Sequence, residues 1–369
     1  MIIGCVKEIK KHEYRVGMTP DNAKEYAHHG HTVLIETAAG LGAGFSDQDY
    51  INSGATIVYT AEEVWEKADM IIKVKEPLAP EYELMRENQI IYTYLHLAAD
   101  EKLTLKMMEK KVKGVAYETI KDRHGNLPCL KPMSEIAGKL SVQEGAKFLE
   151  KPFGGSGVLL GGVPGTPKAN VTIIGGGVVG TSACKIAVGM GANVTIIDLN
   201  LDRLTYLDDI FGDRIQTLFS TQANIEKAVL SADLVVGAVL IPGAAAPKLL
   251  KREYLAKMKP GSVIVDVAID QGGCSEFAKL TYHDEPVFML DGVVNYCVGN
   301  MPGAVPRTST IALTNSTLRY GLMIADMGLE QAAKRSVDIL EGINTYDGKC
   351  TYKAVAETFG LEYTPYVAK

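Results

Sequence analysis

A glycine-rich turn constrains this chain more than any other feature of its sequence. Residues 175–180 read Gly-x-Gly-x-x-Gly and directly follow the β-branched run 171–174. In a parallel sheet each glycine of this spacing has its own role. Gly175 permits a tight turn, Gly177 lets a phosphate approach the backbone, and Gly180 lets a helix pack closely on the strand. The motif therefore predicts a dinucleotide-binding βαβ unit.

The next predicted strand indicates which dinucleotide is bound. It ends in Asp198, eighteen residues after Gly180. A carboxylate at this position accepts hydrogen bonds from the ribose hydroxyls and repels a 2′-phosphate, so NAD is favoured over NADP. Two alternatives stay open. Asp198 could be a solvated strand-end residue, and Arg203 could meet the phosphate of NADP.

Alternating apolar strands and helices predict an α/β fold with two Rossmann-like, doubly wound parallel-sheet domains. The predicted strands are 2–6, 32–35, 56–58, 70–74, 90–95 and 114–117 in the first domain, and 171–174, 194–197, 215–218, 234–239, 262–267 and 287–290 in the second. The tail from Pro306 is mostly helical in pattern and is expected to fold back onto the first domain. We therefore predict a discontinuous domain, 1–130 with 306–369, around a second domain, 131–305.

Composition and charge exclude several classes of protein. A net charge of −6 without any basic run is not typical of nucleic-acid binding. No apolar run approaches the ~18 residues of a membrane helix, and the N-terminus lacks the pattern of a signal peptide. The cysteines have no metal-ligand or CxxC spacing, so we expect buried reduced thiols, no metal site and a cytoplasmic protein. They are Cys5, Cys129, Cys184, Cys274, Cys297 and Cys350.

Polar residues at the ends of predicted strands are the catalytic candidates, because open α/β sheets bind ligands there. Lys75 and His96 follow strands of the first domain, Asp270 follows a strand of the second, and Arg15 lies in the loop after the first strand. We expect them to converge on a cleft between the domains. Cations suit a substrate carboxylate, and histidine exchanges protons near neutral pH. The set suits the oxidation of an amino acid.

Each candidate also has a structural interpretation. Arg15 and Lys75 could be solvated surface charges, and His96 a packed or exposed histidine. Asp270 precedes Gln-Gly-Gly and could belong to a simple turn. Asp266 competes with it from the same strand, but strand periodicity buries Asp266, which favours a structural role.

Beyond these residues, the chain resembles the L-alanine dehydrogenase family over essentially its whole length. The segments that carry the resemblance are Lys7-Glu8, Glu13-Tyr14-Arg15-Val16, Thr19-Pro20, Lys73-Val74-Lys75-Glu76-Pro77, Tyr94-Leu95-His96-Leu97-Ala98, 132–138, the glycine turn, 267–273 and Asn300-Met301-Pro302-Gly303.

The resemblance implies reversible oxidative deamination of L-alanine to pyruvate and ammonia with NAD, by a homo-oligomer that is a hexamer in this family. It implies that Arg15 and Lys75 bind the substrate carboxylate and that His96 and Asp270 transfer protons. Leu130 and Met133 would form the methyl pocket, with Asn300 also at the substrate. For the cofactor it adds Ser134, Val178, Arg203 (often Lys in the family), Ser220, Val239, Leu240, Val267, Ala268, Ile269, Asp270, Lys279, Val298, Asn300 and Met301.

Three other functions fit parts of this pattern. The family is similar to the nucleotide-binding subunit of proton-translocating transhydrogenase, which passes hydride between two nucleotides. A catalytically inactive NAD-sensing regulator could share the fold, and saccharopine- or ornithine-type dehydrogenases are a further possibility. The polar residues retained at every expected position favour the amino-acid enzyme.

Overall fold

In the computed structural model, which describes residues 1–239 and 246–368, the chain folds into two α/β units. The first unit comprises Met1–Met133 and Gly303–Lys369, and the second comprises Ser134–Pro302. Each unit has one sheet with flanking helices, so the predicted α/β class is confirmed. No helix in the described ranges is both long and apolar enough to cross a membrane.

The sheets contain fifteen strands among the described residues. They are β1 (Ile2–Cys5), β2 (Thr32–Glu36), β3 (Thr56–Val58), β4 (Met70–Ile72), β5 (Ile90–Thr93), β6 (Lys113–Ala116), β7 (Asn170–Ile174), β8 (Asn193–Asp198), β9 (Ile215–Phe219), β10 (Leu234–Gly237), β11 (Val263–Asp266), β12 (Val287–Leu290), β13 (Val293–Tyr296), β14 (Ile343–Tyr346) and β15 (Lys349–Cys350).

Twelve α-helices accompany these strands in the same part of the chain. They are α1 (Pro20–His28), α2 (Asp47–Asn52), α3 (Ala61–Lys67), α4 (Glu101–Glu109), α5 (Lys131–Phe148), α6 (Val178–Gly189), α7 (Leu201–Phe211), α8 (Gln222–Ser231), α9 (Pro306–Met327), α10 (Leu329–Arg335), α11 (Val337–Gly342) and α12 (Lys353–Phe359).

The strand order of each sheet decides where loops meet. The first sheet runs β15-β14-β6-β5-β4-β1-β2-β3 and the second runs β12-β13-β11-β10-β7-β8-β9. In the second sheet β7 pairs in parallel with both β8 and β10, so the chain changes direction across the sheet beside β7. Ligands of open α/β sheets bind at the carboxyl ends of the strands beside such a point. The glycine turn follows β7 directly.

Antiparallel strands at the edges are an addition to the predicted parallel sheets. β12 pairs antiparallel with β13, and β14 and β15 form a hairpin on β6. Each hairpin turns at an Asp-Gly pair, Asp291-Gly292 and Asp347-Gly348, with positive φ at all four residues. Asp-Gly with this backbone is the signature of a type I′ hairpin. The tail, predicted as mostly helical, thus also completes the first sheet.

The two cores follow from apolar strands that are covered on both faces. β4, β5 and β10 are buried along their entire length. Continuous apolar runs of this kind are typical of parallel sheets with helices on both sides. In the first unit Trp65 of α3 is completely buried in the same core as Ile71 and Ile91. The six cysteines are all buried and free, as predicted.

Helix α5 approaches the start of α6 so closely that only glycine fits between them. A Cβ added at Gly138 would lie 2.2 Å from the carbonyl oxygen of Val179. This contact fixes α5 beside the glycine turn.

We predict that Gly138→Ala lowers the stability of the second unit, although alanine favours helix by about 1 kcal/mol. The forced separation of the helices costs more, roughly 1–3 kcal/mol. Gly189→Ala at the end of α6 is the matched control, because its Cβ would contact nothing within 4 Å. Thermal unfolding should show a lower midpoint for the first variant only. Equal midpoints for both would contradict the close contact.

Candidate functional site

The glycine turn has the geometry that its spacing predicts. Gly175 has φ +103°, and a Cβ there would lie 2.7 Å from the carbonyl oxygen of Ala238. A Cβ at Gly180 would lie 1.8 Å from the carbonyl oxygen of Gly175, whereas one at Gly177 would meet nothing within 4 Å. The middle glycine therefore faces open space at the N-terminus of α6, where backbone N–H groups and the helix dipole favour phosphate. The residues present fit a bound dinucleotide.

Asp198 joins the end of β8 to this turn. Its carboxylate accepts hydrogen bonds from the backbone N–H of Gly176 at 2.6 Å and of Asn200 at 2.8 Å. The backbone N–H of Ser220, after β9, donates to the carbonyl oxygen of Asp198 at 3.0 Å. Residues at three strand ends are thus held together, and Asp198 and Ser220 are both only half-buried.

Arg203 is anchored on the same turn. Its Nε donates to the carbonyl oxygen of Gly176, its Nη2 donates to the hydroxyl of Thr181, and its guanidinium lies 4.7 Å from the centroid of the Tyr206 ring. These contacts occupy donors that a 2′-phosphate would need. The geometry therefore favours a role for Arg203 in stabilising the turn rather than in binding the 2′-phosphate of NADP.

Most of the other predicted cofactor residues follow parallel strands and lie at the same edge of the second sheet. Val239 follows β10, Val267, Ala268, Ile269 and Asp270 follow β11, and Val298, Asn300 and Met301 follow β13. Val178 begins α6, and Ser134 lies in the first turn of α5. Leu240 lies outside the described residues. Lys279 is exposed, with its ammonium 6.0 Å from the ring centroid of Phe288 on the edge strand β12.

The two aspartates after β11 are clearly distinguished. Asp266 is buried and accepts hydrogen bonds from the backbone N–H groups of Ala268, Cys274 and Ser275 at 2.9 to 3.3 Å. Burial raises the pKa of Asp266, and the donors from Cys274 and Ser275 oppose that rise. Asp270 is exposed, and the backbone N–H of Asn300 lies 3.4 Å from its carboxylate. Asp266 is buried, as the strand periodicity predicts, and Asp270 is exposed.

In the first unit Arg15 is buried rather than solvated. Its Nε and Nη2 donate to the two carboxylate oxygens of Glu13, each at 2.6 Å, and its Nη1 lies 3.1 Å from the sulfur of Met133. Burial lowers the pKa of Arg15, but the bonds and charge of Glu13 outweigh it, so the pKa lies above its ordinary value. Met133 thus lies beside the guanidinium, and Leu130, one turn earlier, is half-buried.

Lys75 lies near Arg15 in an environment that disfavours its charge. Burial lowers the pKa of Lys75, and the positive charge of Arg15 lowers it further. Within the described ranges, the ammonium of Lys75 makes no recorded hydrogen bond or ion pair. Two neighbouring cations, one without such a partner, create a strong local preference for an anion.

A buried ion network beneath Lys75 fixes its backbone. Glu8 accepts hydrogen bonds from the N–H groups of Val74 at 2.6 Å and Lys75 at 3.2 Å. Lys73 is fully buried and pairs with Glu81 at 2.8 Å and Glu8 at 3.4 Å. No role of Glu8 or Glu13 was predicted from the sequence. Glu13 lies two residues before Arg15, but Glu8 is 67 residues from Lys75, so only Glu13 had a local signal.

His96 stands at the end of β5 with an unusual backbone. Its φ of 47° and ψ of 35° are left-handed, a region that residues with a Cβ rarely adopt. Its ring stacks on Tyr94, with the centroids 5.8 Å apart and the planes at 16°. The histidine is exposed, as a residue that meets a ligand requires.

The fold and these residues define a two-domain protein of the Rossmann class, with a glycine turn suited to a dinucleotide and two neighbouring cations in the first unit. Family models for the N-terminal and C-terminal domains of alanine dehydrogenase/PNT match residues 4–137 and 141–353. The chain belongs to this family, which implies a nicotinamide nucleotide as cofactor and small-molecule substrates. No group of three or more His, Cys, Asp or Glu side chains that could hold a metal ion occurs in the described part of the chain.

Similar proteins agree with this assignment. An alanine dehydrogenase of Methanococcus maripaludis is 56% identical over 366 residues, which cover 99% of this chain and 98% of that protein. A solved L-alanine dehydrogenase superposes with a TM-score of 0.95 at 51% identity, covering 98% of this chain and 99% of that one. A transhydrogenase from Sinorhizobium meliloti has a TM-score of 0.81 at 24% identity and covers 96% of this chain, which shows a common fold.

We predict unequal effects on stability for the two aspartates after β11. Asp266→Ala leaves buried N–H groups without an acceptor, which costs about 1–3 kcal/mol for each. Asp270→Ala removes an exposed group and should change stability by no more than about 0.5 kcal/mol. Thermal unfolding of both variants measures the difference. A larger loss for Asp270→Ala would reverse the assignment.

Proposed function

We propose that this protein catalyses the reversible oxidative deamination of L-alanine to pyruvate and ammonia with NAD. The observation that carries the proposal is the pair of buried Arg15 and half-buried Lys75, in which the Lys75 ammonium makes no ion pair within the described ranges. Membership of the family and the relatives named alanine dehydrogenase, 53–56% identical, support the substrate. The first unit is then the substrate domain and the second the NAD domain.

The substrate carboxylate is proposed to bind at the two cations. Lys75 supplies a point charge, and Arg15, held by Glu13, supplies a second positive charge beside it. Met133 adjoins Nη1, so the group beside the carboxylate meets an apolar surface there and at Leu130. A methyl substituent fits such a surface. Asn300 is proposed as a further substrate contact.

Proton transfer is proposed for His96 and Asp270. The alanine ammonium first releases one proton to solvent, and a nicotinamide held at the glycine turn would supply the acceptor for the Cα hydrogen. His96 takes a proton from the water that attacks the resulting C=N carbon and returns it to nitrogen as the C–N bond breaks. Asp270, which is exposed, is proposed to stabilise the positive charge that develops on nitrogen. The net reaction converts L-alanine, NAD⁺ and water to pyruvate, ammonium, NADH and a proton.

NAD, rather than NADP, is proposed as the cofactor. The carboxylate of Asp198 lies beside the glycine turn, where it would accept hydrogen bonds from the ribose hydroxyls and repel a 2′-phosphate. Arg203 is already bonded to Gly176 and Thr181. We further propose a homo-oligomer, a hexamer by family resemblance, that acts in the cytoplasm. Six buried free thiols are typical of a reducing compartment.

We predict that Asp270→Asn abolishes alanine-dependent NADH formation while NADH binding, measured by fluorescence, stays nearly unchanged. Acid–base groups usually contribute about 10²–10⁴ in rate, so a loss below tenfold would not fit. Asp213→Asn is the control and should retain full activity. Asp213 is exposed and lies just before β9, at the amino end of that strand, whereas the candidate residues lie at carboxyl ends. Wild-type protein that forms no pyruvate from alanine, but passes hydride from NADH to a nucleotide analogue, would instead be a transhydrogenase component.

A second prediction concerns the choice of nucleotide. Asp198→Ala should weaken NAD binding about tenfold or more, since a hydrogen bond to a charged group is lost. The same variant should reduce the preference for NAD over NADP. Asp198→Asn keeps an acceptor for the Gly176 N–H but removes the charge, so it should narrow the preference with a smaller loss of NAD affinity. Steady-state kinetics with both nucleotides provide the measurement. Equal use of NADP by the wild type would refute the cofactor assignment.

A further inference from the structure

Two parallel strands bring a carboxylate beside the backbone of His96. β5 and β6 pair in register, with Thr93 opposite Ala116. Leu95 and Glu118 each lie two residues beyond these positions, so they leave the sheet side by side. The carboxylate of Glu118 accepts a hydrogen bond from the N–H of His96 at 2.6 Å and from the N–H of Leu95 at 3.2 Å.

These hydrogen bonds hold a backbone conformation that histidine does not favour. The left-handed φ of His96 turns the chain out of the strand direction and into the 3₁₀ turn Leu97–Ala99. A residue with a Cβ stays in this region only when its surroundings fix it. The N–H of His96 donates to the carboxylate of Glu118, and hydrogen bonds from backbone N–H groups to carboxylates are among the strong ones in proteins.

The ring of His96 has a separate restraint. It stacks on Tyr94, whose hydroxyl donates to the carbonyl oxygen of Cys129 at 2.6 Å. No hydrogen bond to the ring nitrogens of His96 is recorded within the described ranges, so they are available to a substrate. The same ranges show no hydrogen bond of the Glu118 carboxylate other than those to Leu95 and His96. The contacts of Glu118 therefore concentrate on the segment that carries the histidine.

We propose that Glu118 is a positioning residue that holds His96 in its left-handed conformation and thereby aims the imidazole at the substrate. This role rests on the proposed function, in which His96 transfers protons. Glu118 does not touch the substrate. Its loss lets residues 95 and 96 relax toward extended backbone, which moves the ring away from the reacting atoms.

The same unit offers a matched control. Asp47 accepts hydrogen bonds from the N–H of Ala38 at 2.8 Å and the hydroxyl of Thr37 at 2.6 Å, just after β2 ends. Ala38 is also left-handed, with φ 60°. Asp47 thus makes an equivalent contact beyond another strand of the same sheet, and no catalytic candidate is attached to that segment. Removing either carboxylate should have a similar effect on stability.

The experiment compares Glu118→Ala and Glu118→Gln with Asp47→Ala in the full-length protein. We expect Glu118→Ala to lower kcat for L-alanine about 10²-fold, the usual effect of a misplacement near 1 Å. KM for L-alanine and NADH binding by fluorescence should change little. Glu118→Gln retains one acceptor oxygen and should lose less. Asp47→Ala should keep its kcat while its unfolding midpoint falls by a similar amount. A kcat for Glu118→Ala equal to that of Asp47→Ala would overturn the proposal.

A second arm uses the double variant with His96→Asn, since asparagine adopts left-handed backbone readily. If Glu118 acts through His96, the effects of the two substitutions should not add. Adding Glu118→Ala to His96→Asn should then lower the residual rate by no more than about twofold. A full further loss on this background, or a parallel loss of NADH binding, would make Glu118 a general structural residue. Wild-type protein without alanine-dependent NADH formation would contradict the proposed function itself, independently of Glu118.

Discussion

Carboxylates that accept backbone N–H groups just beyond strand ends are the interaction on which both units depend. Glu8 binds the segment after β4, Glu118 the segment after β5, Asp198 the glycine turn after β7, and Asp266 the loop after β11. A parallel strand leaves its last N–H groups without sheet partners, and the loop that follows must satisfy them locally. An ionised acceptor does so with about 1.5–3 kcal/mol per bond. These loops carry most of the candidate site residues.

This arrangement requires charges to be buried, and the structure compensates for that cost in a consistent way. Burial raises the pKa of Glu8, while Lys73 and the N–H of Val74 oppose the rise. Lys73 in turn also pairs with Glu81. Removing one member of such a network leaves an uncompensated buried charge, which is strongly destabilising. Lys75 is the exception, since its own ammonium lacks a recorded ion pair in the described part of the chain, and the proposed substrate would supply the missing charge.

The sequence was sufficient for the fold class, for twelve of the fifteen described strands and for the glycine turn, because these depend on local patterns; β13, β14 and β15 were not predicted. The turn spacing predicts a tight turn, an open approach for phosphate and a close helix contact, and the structure has these at Gly175, Gly177 and Gly180 respectively. The supporting carboxylates could not be predicted, because their partners are distant in sequence. Glu8 and Val74 are 66 residues apart, and Glu118 and His96 are 22 apart. The Asp-Gly hairpins did have a local signal, but it indicates a turn and not which sheet receives the strands.

The hairpin that ends the first sheet also affects how copies of the chain meet in solution. The outer strands of that sheet, β15 and β3, have two and three residues. A longer edge would present a row of free N–H and C=O groups able to recruit a strand from another molecule, which is a common route to aggregation. Strands this short offer almost no template, and Lys349 adds a charge at the edge. The first unit can therefore be concentrated without its sheet growing from one molecule into the next.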